Sequence, residues 1–367
     1  MTRKKVVCVI NSISGGGAEQ VLQYIARYYQ RDRFSFEICV LHATGREKEL
    51  IPHDVPVHFL HNDRAGWYIG ALVRLVFVIV RSKPSVLFSL LVKSNIVASI
   101  AGRMTGVPVV VSEHGPTHVY INDYSFPRVA RWVLARTYGS ARSIVAVSQA
   151  GRDSFISVFP HCRDKVSVIY NGVDVEGIRS KASQSQSVIA GPYLVSCGRL
   201  SPEKNYSLLI ESVAALKNIY SLDYSLCIAG EGQERDDLAC LARQRGVRLI
   251  MPGFLDNPYP VMAGAHAFVM TSRYESFPLV ALEAMVCGTT VVTVDCPGGI
   301  REVLHDGENS RVVDSMLPED VARALHQVLT DNQLAHRFKD AAARDVTERF
   351  SVHTMAAHYE DILSKES

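Results

Sequence analysis

Glu275 and Glu283 stand with seven residues between them in the stretch T-S-R-Y-E-S-F-P-L-V-A-L-E that begins at Thr271. The apolar approach Ala267 to Met270 reads as a buried strand. Ser276 and Pro278 read as a helix start, and Gly288 as a stop after Cys287. Thr290 to Val294 is a second strand running into a Gly298-Gly299 turn. The segment is one strand–helix–strand unit of a parallel sheet, with both carboxylates at the end where such sheets take ligands. Taken singly, either glutamate reads equally well as a solvated surface residue.

Three further groups have chemical potential. In G-R-L-S-P-E-K-N, from Gly198, Arg199 and Lys204 are five residues apart, and a short turn at Ser201-Pro202 would hold them at a separation suited to a diphosphate. A lone cation in such a loop is more often simply solvated. Ser14-Gly15-Gly16-Gly17-Ala18-Glu19 opens a helix, and a glycine-rich entry presents backbone N–H groups to an anion. It is neither a complete G-x-G-x-x-G nor a P-loop, and a tight structural turn accounts for it as well. Glu113-His114-Gly115 follows the strand Pro108 to Ser112 and so falls at a sheet's carboxyl edge, where a histidine is either functional or an ordinary packed loop residue.

Together, E-S-F-P-L, the spaced second glutamate, G-T-T-V-V and P-G-G-I-R-E resemble the donor-binding signature of retaining glycosyltransferases of family 4, and matching motifs run from Gly15 to Glu302. The resemblance implies an α/β chain with the GT-B fold, in which two Rossmann-like, doubly wound domains face each other across a cleft. It implies that Glu283 binds the ribose hydroxyls, that Glu275 points toward the transferred sugar, and that Ser276, Phe277, Pro278 and Leu279 bring helix N–H groups near the phosphates. Gly16 and Gly17 would approach those phosphates from the first domain. His114 would hydrogen-bond the sugar and its phosphate, and Arg199 and Lys204 would neutralise the leaving nucleoside diphosphate. The loops Ala229 to Gly232 and Gly253 to Asn257 would surround the base and ribose, with Phe254 packing rather than stacking. No cofactor is implied beyond the substrate nucleotide sugar, taken as UDP-linked. No D-x-D motif sits in a suitable loop, so a metal-independent transfer is expected, by reaction on one face of the sugar with the leaving phosphate helping to deprotonate the acceptor.

The elements that must position these residues follow from composition and pattern. A chain of 367 residues, 47% hydrophobic and 21% charged, is globular and long enough for two domains. Its net charge of +2 conceals a division. Residues 1–190 carry 23 Lys and Arg against 13 Asp and Glu, and residues 191–367 carry 16 against 24. Eight scattered cysteines without a C-x-x-C indicate neither a zinc ribbon nor a disulfide framework, and fit a reducing cytoplasm. The apolar run Val6 to Ile10 suits a first strand rather than a signal peptide. Strands at 36–41, 57–60, 86–90, 108–112, 143–147 and 166–169 alternate with helices at 20–29, 67–80, 95–104 and 127–138. A second alternation runs from Tyr193.

The boundaries expected are 1–185 for an acceptor-binding domain, 186–350 for a nucleotide-sugar domain, and 351–367 for a helix returning to the first. The polar stretch Lys181 to Gly191 marks the linker, and Val352, Met355 and Tyr359 are the returning helix's candidate anchors. Asn171 and Asp174 are expected to shape the cleft. Trp67 to Val80 is an apolar stretch of fourteen residues broken only by Arg74, about 21 Å of helix, which is too short to span a bilayer. It is either a core helix or an interfacial one, with Trp67 and Tyr68 at headgroup level beside Arg64, Arg81 and Lys83.

The expectation is a retaining hexosyltransferase that moves an N-acetylhexosamine, galactose or glucose unit to a glycan or polyprenyl-pyrophosphate-linked acceptor. It would bind no nucleic acid and lie peripherally on the anionic inner face of a cytoplasmic membrane. A nucleotide-sugar epimerase of the same fold and a non-catalytic nucleotide-binding scaffold are the alternatives.

Overall fold

The computed structural model describes residues 3–13, 16–42, 51–60, 67–115, 126–184 and 189–366, without the side chains of Trp67 and Tyr68. Ser14, Gly15, Arg64 and residues 185–188 of the expected linker lie outside it. The chain forms two compact units, residues 1–172 with 352–367, and residues 173–351.

The first unit is built on strands β1 (Lys4–Ile10), β2 (Phe34–Val40), β3 (Val57–Phe59), β4 (Val86–Leu90), β5 (Val109–Glu113), β6 (Ser143–Ala146) and β7 (Val166–Val168). They form one parallel sheet in the order β3-β2-β1-β4-β5-β6-β7. Strands covered on both faces need apolar side chains at every position rather than at alternate ones, and Val6 to Ile10 supplies such a run. Val6, Cys8 and Ile10 pack toward the helices Gly17–Tyr28 and Val352–Lys365, and Val352, Met355 and Tyr359 are buried in this core. Val7 and Val9 pack toward the opposite face, with Ala71, Leu75 and Ile79 of the helix Trp67–Ser82, Val97 of Val92–Thr105 and Tyr138 of Pro127–Ser140.

Trp67–Ser82 is therefore not a core helix all round. Its other face leaves Ile69, Val73, Phe77 and Val80 between 63 and 73% exposed. Among the described residues no helix is long and apolar enough to cross a membrane.

The second unit contains β8 (Tyr193–Cys197), β9 (Ser225–Ala229), β10 (Leu249–Gly253), β11 (Ala267–Met270), β12 (Val291–Val294) and β13 (Arg311–Val313), parallel and ordered β10-β9-β8-β11-β12-β13. Leu194, Ile228, Val269 and Val292 meet Leu209 and Val213 of the helix Tyr206–Tyr220 and Leu325 of Pro318–Thr330 in one core. The helix Val175–Ala182 packs on Tyr259–Ala263 and Leu279–Val286, so the second unit begins before the polar linker stretch. Asp174 caps that helix by accepting from the Gly177 N–H at 2.9 Å.

Candidate active site

In open parallel sheets the crevice for a ligand opens where the strand order reverses, beyond the carboxyl ends of the two strands there. In the second sheet those strands are β8 and β11. The loop after β8 carries Arg199 and Lys204, and the loop after β11 carries Glu275, so topology brings together groups that are far apart in sequence. Lys204 Nζ donates to Glu275 Oε1 at 2.6 Å, and Ser272 Oγ donates to the same oxygen at 2.7 Å. The pair is largely shielded, with the lysine side chain 19% and the glutamate side chain 11% exposed. Thr271 Oγ1 donates to the carbonyls of Lys204 and Asn205 at 3.3 and 3.0 Å, and the Arg273 N–H donates to the Glu203 carbonyl at 2.8 Å. Arg199 is exposed on the same loop.

Two glycines allow this geometry. Gly298 has φ +119°, and a Cβ there would lie 1.8 Å from the Glu275 carbonyl oxygen. The Gly299 N–H donates to that oxygen at 2.9 Å, and the Glu275 N–H donates to the Pro297 carbonyl at 3.1 Å. The Pro-Gly-Gly turn thus clamps the backbone of Glu275. Gly230 has φ +156°, and its Cβ would lie 1.9 Å from the Gly198 carbonyl oxygen, so the loops after β8 and β9 run backbone against backbone.

Glu283 lies in the helix Leu279–Val286, which starts later than Ser276 because Pro278 occupies the N-cap position. The Glu283 side chain is buried, and its Oε1 lies 3.4 Å from the Tyr259 hydroxyl. Phe277 is buried 5.8 Å from the Phe350 ring, edge to face, Pro278 and Leu279 are buried, and Ser276 is half-buried. Phe254 corrects an expectation. It directly follows β10 and is 61% exposed, so it is not packed.

In the first unit the strand order reverses between β1 and β4. After β1, Gly16 is the N-cap of the helix Gly17–Tyr28. The Gly16 N–H is not left open to an external anion, because it donates to Glu19 Oε2 at 2.7 Å, while Ser12 Oγ donates to Glu19 Oε1 at 2.7 Å. A known local pattern signals Glu19, an acidic side chain three positions after an N-cap.

His114 follows β5. The residue is half-buried, its Nε2 lies 3.0 Å from Ser112 Oγ, and desolvation pulls its pKa from 6.5 to about 3, so the ring is neutral. Glu113 points into the core, where Tyr138 OH donates to its Oε1 and Asn95 Nδ2 donates at 2.8 Å. Burial raises the Glu113 pKa to about 7 against the opposing effect of those two donors. Sequence pattern signals neither the Glu113 network nor Ser272, because their partners come from other elements. Among the described residues no group of three or more His, Cys, Asp or Glu side chains is placed to hold a metal ion.

Comparison with known proteins bears on what this arrangement does. Residues 15–176 match the model of Glycosyltransferase Family 4, and residues 180–345 match that of Glycosyl transferases group 1. The chain is 27% identical over 352 residues to the N-acetylgalactosamine-N,N'-diacetylbacillosaminyl-diphospho-undecaprenol 4-alpha-N-acetylgalactosaminyltransferase of Campylobacter jejuni, covering 92% of this chain and 94% of that protein. It is 34% identical to the lipopolysaccharide core biosynthesis glycosyltransferase LpsE of Rhizobium meliloti over 48% of this chain and 50% of the relative. Among solved structures, Anabaena HepE in complex with UDP and glucose superposes with a TM-score of 0.86 at 24% identity, covering 99% of this chain and 100% of that one. The two matches follow one another along the chain, and with the superposition they show a glycosyltransferase with the GT-B fold, related to the enzymes of family 4.

Proposed function

We propose that this glycosyltransferase takes an N-acetylhexosamine, galactose or glucose unit from a UDP-linked donor and passes it, with retention, to a hydroxyl of a glycan carried on a polyprenyl diphosphate. The observation that carries the reading is the Lys204–Glu275 pair at the switch point of the second sheet, with Arg199 exposed on the loop that carries Lys204. Cations at that point neutralise the charge that grows on a departing diphosphate. The bond from the anomeric carbon to the β-phosphate oxygen breaks, and the acceptor oxygen bonds to that carbon on the same face. A phosphate oxygen of the leaving group takes the acceptor proton. Glu283 holds the ribose hydroxyls, Ser276 to Leu279 line the phosphates, and Glu275 orients the sugar hydroxyls. The exposed Phe254 ring is available to stack on the base. From the first unit, Gly17 and His114 serve the same donor. The Campylobacter relative, named for an undecaprenyl-diphosphate-linked acceptor, supports the acceptor class, and HepE, crystallised with UDP, supports the donor base.

The acceptor's lipid places the enzyme at a membrane face. Three packed helices support this: Trp67–Ser82, Val92–Thr105 and Pro127–Ser140 leave Phe77, Met104 and Trp132 exposed, with Arg74, Arg103 and Arg131 among them. Between Trp67 and Arg152 the acidic residues are the buried Glu113 and Asp123, which lies outside the described residues. An apolar face whose described surface charges are cationic suits an anionic bilayer.

The reading is tested by calorimetric titration with UDP, GDP and ADP, then with the corresponding sugar nucleotides. Transfer to a polyprenyl-diphosphate glycan follows, with the product anomer determined by NMR. UDP-selective binding and a retained anomeric configuration are expected. Equal binding of all three nucleotides, or an inverted product, would overturn it.

A further inference from the structure

Ser112 Oγ lies 3.0 Å from His114 Nε2 and 3.1 Å from the phenolic oxygen of Tyr359. Ser112 and Tyr359 are fully buried, and the tyrosine ring is fixed 5.3 Å from that of Phe88. Tyr359 belongs to the helix Val352–Lys365, 247 positions from Ser112 in the sequence. A hydrogen-bonded row therefore joins the last helix to the histidine at the sheet's carboxyl edge.

The direction of the row follows from what each group can donate. If Nε2–H donated to Ser112 and Ser112 to Tyr359, the buried phenolic proton would have no acceptor among the described residues. If Nε2–H and Tyr359 both donated to Ser112, the Ser112 proton would be the orphan. A buried donor without a partner costs more than an ordinary hydrogen bond contributes. One arrangement leaves neither hydroxyl proton stranded. We infer that Tyr359 donates to Ser112, Ser112 donates to His114 Nε2, and His114 is thereby held as the Nδ1–H tautomer. Because the ring is neutral, a single tautomer can be selected, and the hydrogen bond at one nitrogen decides which proton the other carries. Tyr359 and Ser112 are positioning residues, and Nδ1–H is the group left to donate to a ligand oxygen. That last consequence rests on the proposed contact of His114 with the donor sugar; the tautomer itself does not.

The test is nitrogen NMR of the full chain labelled with [15N]histidine, with His114→Gln identifying the His114 resonances. Nδ1 of His114 is expected in the protonated range and Nε2 in the unprotonated range. Ser112→Ala removes the donor to Nε2 and is expected to populate both tautomers; Tyr359→Phe keeps the ring packing and leaves Nε2 as the acceptor for the Ser112 proton, so it is expected to retain Nδ1–H. In transfer assays Ser112→Ala is expected to lower kcat roughly five- to tenfold, the worth of about one hydrogen bond, with the donor KM little changed. An Nε2–H tautomer in the unmodified protein would overturn the inference. So would an Nδ1–H signal that Ser112→Ala does not move. A tautomer shift without any change in kcat would support the row and instead remove His114 from the proposed donor site.

Discussion

Lys204 and Glu275 form a 2.6 Å ion pair across 71 residues of sequence, joining the two loops that flank the switch point of the second sheet. One oxygen of Glu275 is shared between Lys204 and Ser272. Replacing Lys204 by Ala removes a diphosphate cation and leaves a shielded carboxylate with one fewer donor. A fall in kcat of about 10²- to 10³-fold is expected, as for loss of one preorganised charge-stabilising group. Equilibrium stability is expected to drop by about 1–3 kcal/mol. Steady-state kinetics and urea denaturation read these separately, and near-normal turnover would remove Lys204 from the chemistry.

Glu283 is expected to act on binding rather than on turnover alone. A charged hydrogen bond to a ribose hydroxyl contributes about 1.5–3 kcal/mol, so Glu283→Ala should weaken UDP binding roughly tenfold or more. Calorimetry with UDP checks this. Unchanged affinity would assign Glu283 to the packing against Tyr259.

Gly298→Ala tests the clamp on Glu275. The φ of +119° and the 1.8 Å approach to the Glu275 carbonyl oxygen leave no room for a Cβ, so the turn must move and carry Glu275 with it. A loss of about 2 kcal/mol or more and a melting temperature lower by several degrees are expected, together with reduced turnover. Full activity at unchanged melting temperature would show that the turn relaxes without disturbing the site.

Glu113 and His114 give opposite pH slopes. The Glu113 pKa rises from 4.5 to about 7 on folding, so its protonated form contributes stability below pH 4.5 that is lost as pH rises through 7. The His114 pKa falls from 6.5 to about 3, so its neutral form contributes stability above pH 6.5 that is lost as pH falls toward 3. Between about pH 4.5 and 6.5 the two slopes oppose each other. Glu113→Gln should make the protein lose stability more steeply on acidification through that window, and His114→Gln should make it lose less. Urea denaturation at pH 5 and pH 6.5 reads the difference, and parallel behaviour of the two variants would refute the assignment.

The exposed face of Trp67–Ser82 predicts salt-sensitive association with acidic vesicles. Co-sedimentation with phosphatidylglycerol vesicles is expected at low salt, reduced by added salt and largely abolished by Phe77→Asp with Val73→Asp. Equal pelleting of protein and variant, or none with acidic lipid, would leave this face without a membrane role.

Much of the second unit is legible in the sequence. The strand before Thr271, the helix that holds Glu283 and the cation loop at Gly198 were all legible, because each is a local pattern of apolar run, proline and glycine. Elements with weak periodicity were not. The helix Gln149–Val158, signalled only by the cap at Ser148, and the three-residue strand β13 are not legible in the sequence, since short elements are stabilised by packing rather than by their own sequence. Phe254 was expected to be packed and stands exposed, because hydrophobicity alone does not say whether a loop side chain meets the core.

What the sequence by itself determined is the order and type of the elements and the identity of the charged groups at their ends. Both depend on interactions within a few residues, such as backbone preference, capping and alternation. What only the tertiary structure decided is which of those groups meet. Glu19 takes the Gly16 N–H, Lys204 finds Glu275, and Tyr359 reaches Ser112 behind His114. The last two pairings join residues 71 and 247 positions apart, and strand order and helix packing, rather than local pattern, set those distances.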